Sequence, residues 1–287
     1  MTRNFRKVDL TNPVVFDAVF NKPYFAADFL NSTGEFKVEE SKITIEKTKF
    51  SEGVNVKYID MDVVLKIINE KSIFENKIEY VSLEQQKRKP TYDMKGRLVN
   101  YLGKLINKSE PVGPGYRNNK CTVIAILSFN IFNDERFIRI FKLKDEDGNT
   151  IDYASIIVIE LTKQQFCNTM NLKEWVEIFT NLNLEKDDEK ETEMMKKVKE
   201  EIRKLSDDPL FQMKLDLYEE HEKEREWELE IAKKEAAEKG LAEGKAEGKK
   251  EGKKEATEEL LKRLREEVDI ELLSKKTGLS VEEIQNL

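Results

Sequence analysis

The chain has 287 residues, of which 37% are charged, and its mean hydropathy is −0.64. No apolar run approaches the ~18 residues that a membrane-spanning helix needs, so we expect a soluble, cytoplasmic protein. The only histidine, His221, lies in a highly charged segment, which argues against a histidine-dependent triad or a histidine-ligated zinc site. Cys121 and Cys167 lie next to apolar segments and are predicted to be reduced thiols.

The net charge of −7 is unevenly distributed along the chain. Residues 1–180 carry a net charge of +2, whereas residues 181–287 carry −9. An acidic total argues against nucleic-acid binding only where it describes the binding surface. The first part of the chain therefore remains compatible with a phosphate-rich ligand.

Hydrophobic periodicity predicts the first elements of an α/β domain. Residues 12–31 have a helical pattern that Pro23 interrupts, and residues 43–46 alternate as a strand does. A hairpin turn is predicted at residues 69–72. It joins two predicted strands at residues 61–67 and 80–86.

The remaining elements of this domain follow in a regular order. They are a helix, two buried strands and a short helix, at residues 93–106, 121–127, 153–161 and 172–182. This order predicts an α/β sandwich with a mixed central sheet. We place the domain boundary between residues 185 and 186, where charged residues begin to dominate.

The segment 186–265 is predicted to be a long charged helical tail. Glycines recur at every fourth position, on one slowly drifting helical stripe, and each costs ~1 kcal/mol relative to alanine. Two interpretations stay open: a marginal, solvated helix, or a region of close helix–helix contact or spacing in a homo-oligomer. The glycines are Gly240, Gly244, Gly248 and Gly252.

The segment 266–287 has the pattern of a helix, a turn and a second helix. Ser280 is predicted to cap the second helix, with Glu283 at the capping-box position. The segment resembles part of a helix-turn-helix but is too short for a complete DNA-reading unit. A small packing or oligomer contact and a DNA contact are both open.

The most informative residues are Asp62 and Glu84, which lie in the two neighbouring predicted strands. Glu84 and Gln86 are two residues apart and therefore point to the same face of the sheet. Paired carboxylates with a polar neighbour are typical of a site that holds a hard divalent cation beside a phosphodiester. The alternatives are that Asp62 pairs with Lys66 and that Glu84 is an ordinary exposed strand residue. Asp60 competes with Asp62 for the ligand role.

The order and spacing of several motifs resemble the Rpn family of recombination-promoting nucleases and transposases, which have a PD-(D/E)XK nuclease core. The resemblance extends over most of the chain. Gln86 stands where the core usually has lysine, and Pro13 and Asp17 replace the aspartate and lysine of the family's first helix. The matching segments are residues 12–20, 61–63, 83–86, 95–101, 156–163 and 239–244.

The resemblance implies a restriction-endonuclease-like core and a metal-dependent DNA endonuclease of low sequence specificity, associated with recombination or transposition. It implies that Asp62 and Glu84 hold Mg²⁺, with the main-chain carbonyl of Gln85 as a further candidate ligand, and that Gln86 orients the attacking water. The expected ligand is double-stranded DNA. The residues assigned to DNA contact are Lys87, Arg88, Lys89, Arg97 and Tyr101.

Other interpretations remain for these residues and for the function. Arg97 and Tyr101 lie one helical turn apart, so Tyr101 could be an ordinary core residue with Arg97 as its surface neighbour. The departures at Gln86 and in the first helix also fit a catalytically inactive DNA-binding protein. A third alternative is an interaction protein that works through its helical tail.

Overall fold

The computed structural model describes residues 9–46, 61–72, 75–109, 119–182, 184 and 191–286. The helices are α1 Pro13–Phe20, α2 Pro23–Ser32, α3 Met94–Lys108, α4 Met170–Asn181, α5 Glu193–Leu205, α6 Pro209–Glu267, α7 Ile270–Thr277 and α8 Val281–Gln285. The strands are β1 Ile43–Glu46, β2 Val63–Ser72, β3 Glu75–Gln86, β4 Lys120–Leu127, β5 Ile138–Lys144 and β6 Thr150–Glu160. The chain divides into two compact units, Met1–Leu215 and Asp216–Leu287.

The strands of the first unit form one mixed sheet in the order β1-β2-β3-β4-β6-β5. β1, β2 and β3 are antiparallel neighbours, β4 and β6 run parallel to β3, and β5 is antiparallel to β6. α3 lies between β3 and β4 in the chain, because parallel neighbours need a crossover. This topology brings the start of β2 to the same end of the sheet as the C-terminal ends of β3, β4 and β6.

Both faces of the sheet are apolar, and helices cover each of them. On one face α1, α2, α4 and α5 pack over residues that include Leu65, Leu83 and Ile124. On the other face, α3 buries one stripe whose members recur at helical spacing. The result is a layered α/β domain, which confirms the predicted restriction-endonuclease-like fold class. The stripe consists of Met94, Leu98, Tyr101 and Leu105.

The hairpin turn predicted at residues 69–72 is wrong. β2 continues through Ser72, and its ladder with β3 extends to the pair Ser72 and Glu75. Backbone groups make this pairing, so polar side chains do not end it. The connection is left to residues 73 and 74, which lie outside the described residues.

β5 is a strand that the sequence-based prediction lacks. Its apolar positions Ile138 and Ile140 alternate with Arg139, and most of the strand is exposed at the edge of the sheet. Cationic residues on an edge strand limit unwanted pairing with strands of other molecules. They also interrupt the apolar alternation by which a strand is predicted. The turn between β5 and β6 contains Gly148, whose φ of +88° favours glycine.

The compact unit that contains the sheet extends well past the boundary predicted at residue 185. α5 buries Met194, Val198 and Ile202 against the core formed by α1, α2 and α4. The start of α6 adds Phe211 and Leu215 to the same core. Hydrophobic burial is the main stabilising term in folding, so these helices belong to the folding unit despite their charged sequence.

In the second unit, the four glycines of α6 border open space. Apart from the helix's own nearby backbone, a Cβ added at any of them would have no described atom within 4 Å, so neither interpretation of the stripe is favoured over the other. No helix in the described part of the chain combines the length and apolar character needed to cross a membrane.

The end of α6 supplies a third helix to the C-terminal segment. Leu261 of α6, Leu273 of α7 and Ile284 of α8 form a small buried cluster. The capping box of Ser280 and Glu283 is present, which confirms that prediction. Two glutamates in the first turn of α8 would repel phosphate, which favours the packing interpretation over DNA contact.

Candidate active site

Asp62 and Glu84 lie side by side at one end of the sheet. The β2–β3 ladder ends at the pair Val63 and Leu83, and Asp62 and Glu84 are the next residues on the two chain segments. Asp62 directly precedes β2, and its Oδ2 accepts a hydrogen bond of 2.7 Å from the backbone N–H of Gln85. Backbone pairing therefore fixes the position of both carboxyl groups.

Glu84 is fully buried, which the sequence did not indicate. Its Oε1 accepts a hydrogen bond from the Ser82 hydroxyl, whereas its Oε2 is buried without a hydrogen-bond partner among the described residues. An ionised carboxylate in such a position is costly unless a cation or a proton accompanies it.

Burial governs the titration of both carboxyl groups. It raises the pKa of Asp62 to about 6, and the negative charge of Asp17 raises it further, while the Gln85 N–H and Arg97 oppose this. Burial also raises the pKa of Glu84, with the charge of Asp62 as the second cause. The pair therefore favours a shared proton or a cation over two uncompensated charges.

α3 brings Arg97 and Tyr101 to the same site. Asp93 caps this helix by accepting hydrogen bonds from the backbone N–H groups of Lys95 and Gly96. Arg97 Nε donates a 2.7 Å hydrogen bond to the hydroxyl of the fully buried Tyr101.

The positive charge of Arg97 lowers the pKa of Asp62 and of Glu84, and so opposes the effect of burial on both carboxyl groups. Burial, and then the charge of Glu84, raise the pKa of the Tyr101 hydroxyl, which keeps it a neutral donor and acceptor. The predicted residues Asp62, Glu84, Arg97 and Tyr101 thus form one cluster.

The other predicted residues follow directly after Glu84. Gln86 is half-buried on the same face of β3, and its carbonyl accepts a 3.0 Å hydrogen bond from the Ser128 N–H. Lys87, Arg88 and Lys89 are exposed, and Lys87 lies 3.6 Å from Asp9. These exposed cations therefore directly follow the end of β3 that carries Glu84.

Two further side chains at this end of the sheet, those of Asp17 and Gln85, were given no role from the sequence. Asp17 on α1 lies close enough for its charge to affect Asp62, and burial raises its own pKa, opposed by a hydrogen bond from Asn21 and by the charge of Lys214. The Gln85 side chain is buried, and neither polar atom of its amide has a partner in the described structure. The proximity of Asp17 to Asp62 follows only from the folding of α1 against the sheet.

The donor set fits a hard divalent cation. Mg²⁺ commonly takes one or two carboxylates and keeps several waters, which suits a two-carboxylate site with one unpartnered buried oxygen. Across the described residues, no group of three or more His, Cys, Asp or Glu side chains could enclose a metal. Asp60, the alternative ligand, lies outside the described residues.

The domain has a layered α/β core, and the acidic pair Asp62 and Glu84 lies where β2 begins and β3 ends. Together these two features define a PD-(D/E)XK-type nuclease fold. Residues 21–236 match the family model described as PD-(D/E)XK nuclease family transposase. This match covers most of the chain, so the chain belongs to that family, as the sequence resemblance predicted. Neither a curated protein nor a solved structure matches the chain.

Proposed function

We propose that the chain is a divalent-metal-dependent DNA endonuclease of low sequence specificity that acts in DNA recombination or transposition in the cytoplasm. The observation that carries the proposal is the pair of a half-buried Asp62 and a fully buried Glu84, on both of which the positive charge of Arg97 acts. Ionised carboxylates at this site are unfavourable without a bound cation, and a guanidinium is well suited to bind phosphate. Phosphodiester hydrolysis requires both a metal ion and a phosphate contact.

In this proposal, Asp62, Glu84 and the main-chain carbonyl of Gln85 would hold Mg²⁺. The bound ion would act as a Lewis acid toward the phosphate and lower the pKa of a nearby water. Gln86 would orient the attacking water by hydrogen bonding, since its amide has no charge to contribute. Arg97 would contact the scissile phosphate, with Tyr101 supporting it from the buried side.

The exposed cations of the segment 87–89 would bind the backbone of double-stranded DNA. Phosphate contacts position a nucleic acid without reading its sequence, which is the basis for proposing low specificity.

A homo-oligomer through the C-terminal helices is also proposed. Trp227 and Leu241 on α6 support it, because large apolar side chains that are 66% and 62% exposed favour contact with a second copy.

The proposal is tested by incubating the purified full-length protein with supercoiled plasmid, with Mg²⁺ or with a chelator. We expect nicked and linear products only when Mg²⁺ is present. Equal products under both conditions would contradict the metal-dependent mechanism, and the absence of products with DNA binding retained would favour the inactive alternative.

That alternative, a catalytically inactive DNA-binding protein, rests on Gln86. A lysine at this position would stabilise developing negative charge, whereas the amide offers only hydrogen bonds. The inactive protein would keep the basic surface and the fold.

Gln86→Lys is expected to keep or raise the rate of plasmid nicking, because it restores a cation near the phosphate where charge builds. Gln86→Leu serves as the control that removes both charge and hydrogen bonding, and it should lower the rate. Initial rates with Mg²⁺ measure both effects. A folded but inactive Gln86→Lys protein would show that a neutral side chain is required.

Arg97→Met is expected to weaken DNA binding similarly for all sequences and to reduce the slope of log affinity against log salt by about 1, as the loss of one phosphate contact predicts. Tyr101→Phe removes only the hydroxyl that bonds to Arg97, so it should leave this slope unchanged. Fluorescence anisotropy in a chelator separates binding from cleavage. An unchanged slope in Arg97→Met would show that Arg97 does not contact a DNA phosphate.

A further inference from the structure

Tyr92 is an exposed aromatic residue at the candidate site that neither the sequence nor the proposed mechanism assigns. It directly precedes the helix cap Asp93, and 49% of its surface is exposed. The Arg97 guanidinium carbon lies 5.2 Å from the centre of its ring and 5.1 Å from the ring of Tyr101. Arg97 thus contacts one buried ring and one ring that is open to solvent.

A second contact between cations and a ring occurs nearby. The ammonium of Lys95, on the first turn of α3, lies 4.8 Å from the centre of the Phe132 ring. The guanidinium carbon of Arg139 lies 4.3 Å from the same ring. The segment that contains Phe132 follows β4, whose C-terminal end lies at the same end of the sheet as Glu84. Cations and aromatic rings therefore alternate beside α3, and among these cations Arg139 is also paired with Asp134.

This alternation is typical of surfaces that bind unpaired nucleic acid. Cations there follow the phosphates, and aromatic rings stack on base faces without reading sequence. In a duplex, neighbouring bases cover both faces of each base, so an aromatic side chain reaches a base face only where the strand is unpaired or distorted.

We propose that Tyr92 stacks on an unpaired base next to the phosphate contacted by Arg97, so that the preferred substrate is DNA with single-stranded character. This inference rests on the proposed nuclease function and narrows its substrate class from double-stranded DNA in general to strands, gaps or flaps with exposed bases. Tyr92 is a specificity-determining residue in this account, because its ring discriminates between paired and unpaired substrates.

The test compares metal-free binding of a labelled single strand, its blunt duplex and the same duplex with a short gap. Tyr92→Phe keeps the ring, and Tyr92→Leu keeps an apolar side chain without it. Tyr153→Leu, which alters a 53% exposed tyrosine near the opposite end of β6, is the matched control. Circular dichroism verifies that each full-length variant is folded.

The wild-type protein, Tyr92→Phe and Tyr153→Leu should prefer the single strand and the gapped duplex over the blunt duplex. Tyr92→Leu should lose roughly 5- to 150-fold in affinity for unpaired DNA, the range that stacking on one base supplies, with little change for the duplex. An equal loss on all three DNAs would mean that Tyr92 only positions Arg97. No loss of affinity would mean that Tyr92 does not contact the DNA. Either of these two results overturns the inference about Tyr92 and leaves the proposed nuclease function intact. A wild-type protein that binds none of the three DNAs would overturn the proposed function as well.

Discussion

Asp62→Asn and Glu84→Gln are each expected to lower Mg²⁺-dependent plasmid nicking by roughly 100-fold or more, since a bound metal supplies several kcal/mol of transition-state stabilisation. Both substitutions keep the shape of the side chain and remove the charge. The side-chain carbonyl that Asp62→Asn introduces would still accept the Gln85 N–H. Loss of activity would therefore report on the charge and not on the fold.

The nicking rates should be measured beside Asp152→Asn, which neutralises an exposed aspartate outside the site. This control should keep the wild-type rate. The two site variants should fold at least as stably as the metal-free wild type, because each replaces a carboxyl group whose ionisation burial disfavours with a neutral amide. Nicking at the wild-type rate by both site variants would exclude this pair as the catalytic centre.

A fragment of residues 1–185 is expected to fail to fold, whereas a fragment of residues 1–222 should fold and cut DNA. The shorter fragment lacks α5 and the start of α6. Six buried apolar side chains would be lost from the core, each contributing about 1.5–3 kcal/mol. Their sum is on the order of 10 kcal/mol, comparable with the whole stability of a typical domain. They are Met194, Met195, Val198, Ile202, Phe211 and Leu215.

Circular dichroism and size-exclusion chromatography measure folding of the two fragments, and plasmid nicking measures function. The residues that the longer fragment lacks carry a net charge of only −3, so its DNA affinity should change little, even at low salt where charges are screened least. A soluble, cooperatively folded 1–185 fragment would show that α5 is dispensable. A folded 1–222 fragment without DNA binding would favour the alternative in which the tail is the working part.

Periodicity alone predicted much of the layered domain. The interrupted helix pattern gave α1 and α2, and the apolar stripe that includes Leu98 and Tyr101 gave α3. Continuous apolar runs predicted β4 and β6, because strands covered on both faces need no polar positions. The strand alternation and the family resemblance together pointed to Asp62 and Glu84, which flank the last pair of the β2–β3 ladder.

The sequence did not predict features that depend on the whole chain being folded. The charge density of α5 resembles that of the tail, so only its packing separates the two. The cationic residues of β5 interrupt the apolar pattern of a strand, so this edge strand was not predicted from the sequence. The burial of Glu84 and the approach of Asp17 to Asp62 arise from helices on opposite faces of the sheet, which no local pattern encodes.

The pKa values at the site also predict how metal and pH affect stability. Burial raises the pKa of Asp62 from 3.8 to about 6 and raises that of Glu84, so the metal-free folded protein holds protons more tightly than the unfolded chain does. Its free energy of unfolding should therefore fall as pH rises from the ordinary carboxyl pKa through 6. A cation bound by the ionised pair should reverse this loss above pH 6.

Mg²⁺-dependent thermal stability tests the central claim, that Asp62 and Glu84 form a metal site, most directly. Unfolding of the wild type and of Asp62→Asn should be followed with and without Mg²⁺, at about pH 5 and about pH 8, on either side of the raised pKa. Mg²⁺ at a hundredfold excess over its dissociation constant should stabilise the wild type by about 2.7 kcal/mol at the higher pH. It should have little effect at the lower pH or on Asp62→Asn. An equal Mg²⁺ effect on both proteins, or none on the wild type, would contradict the account.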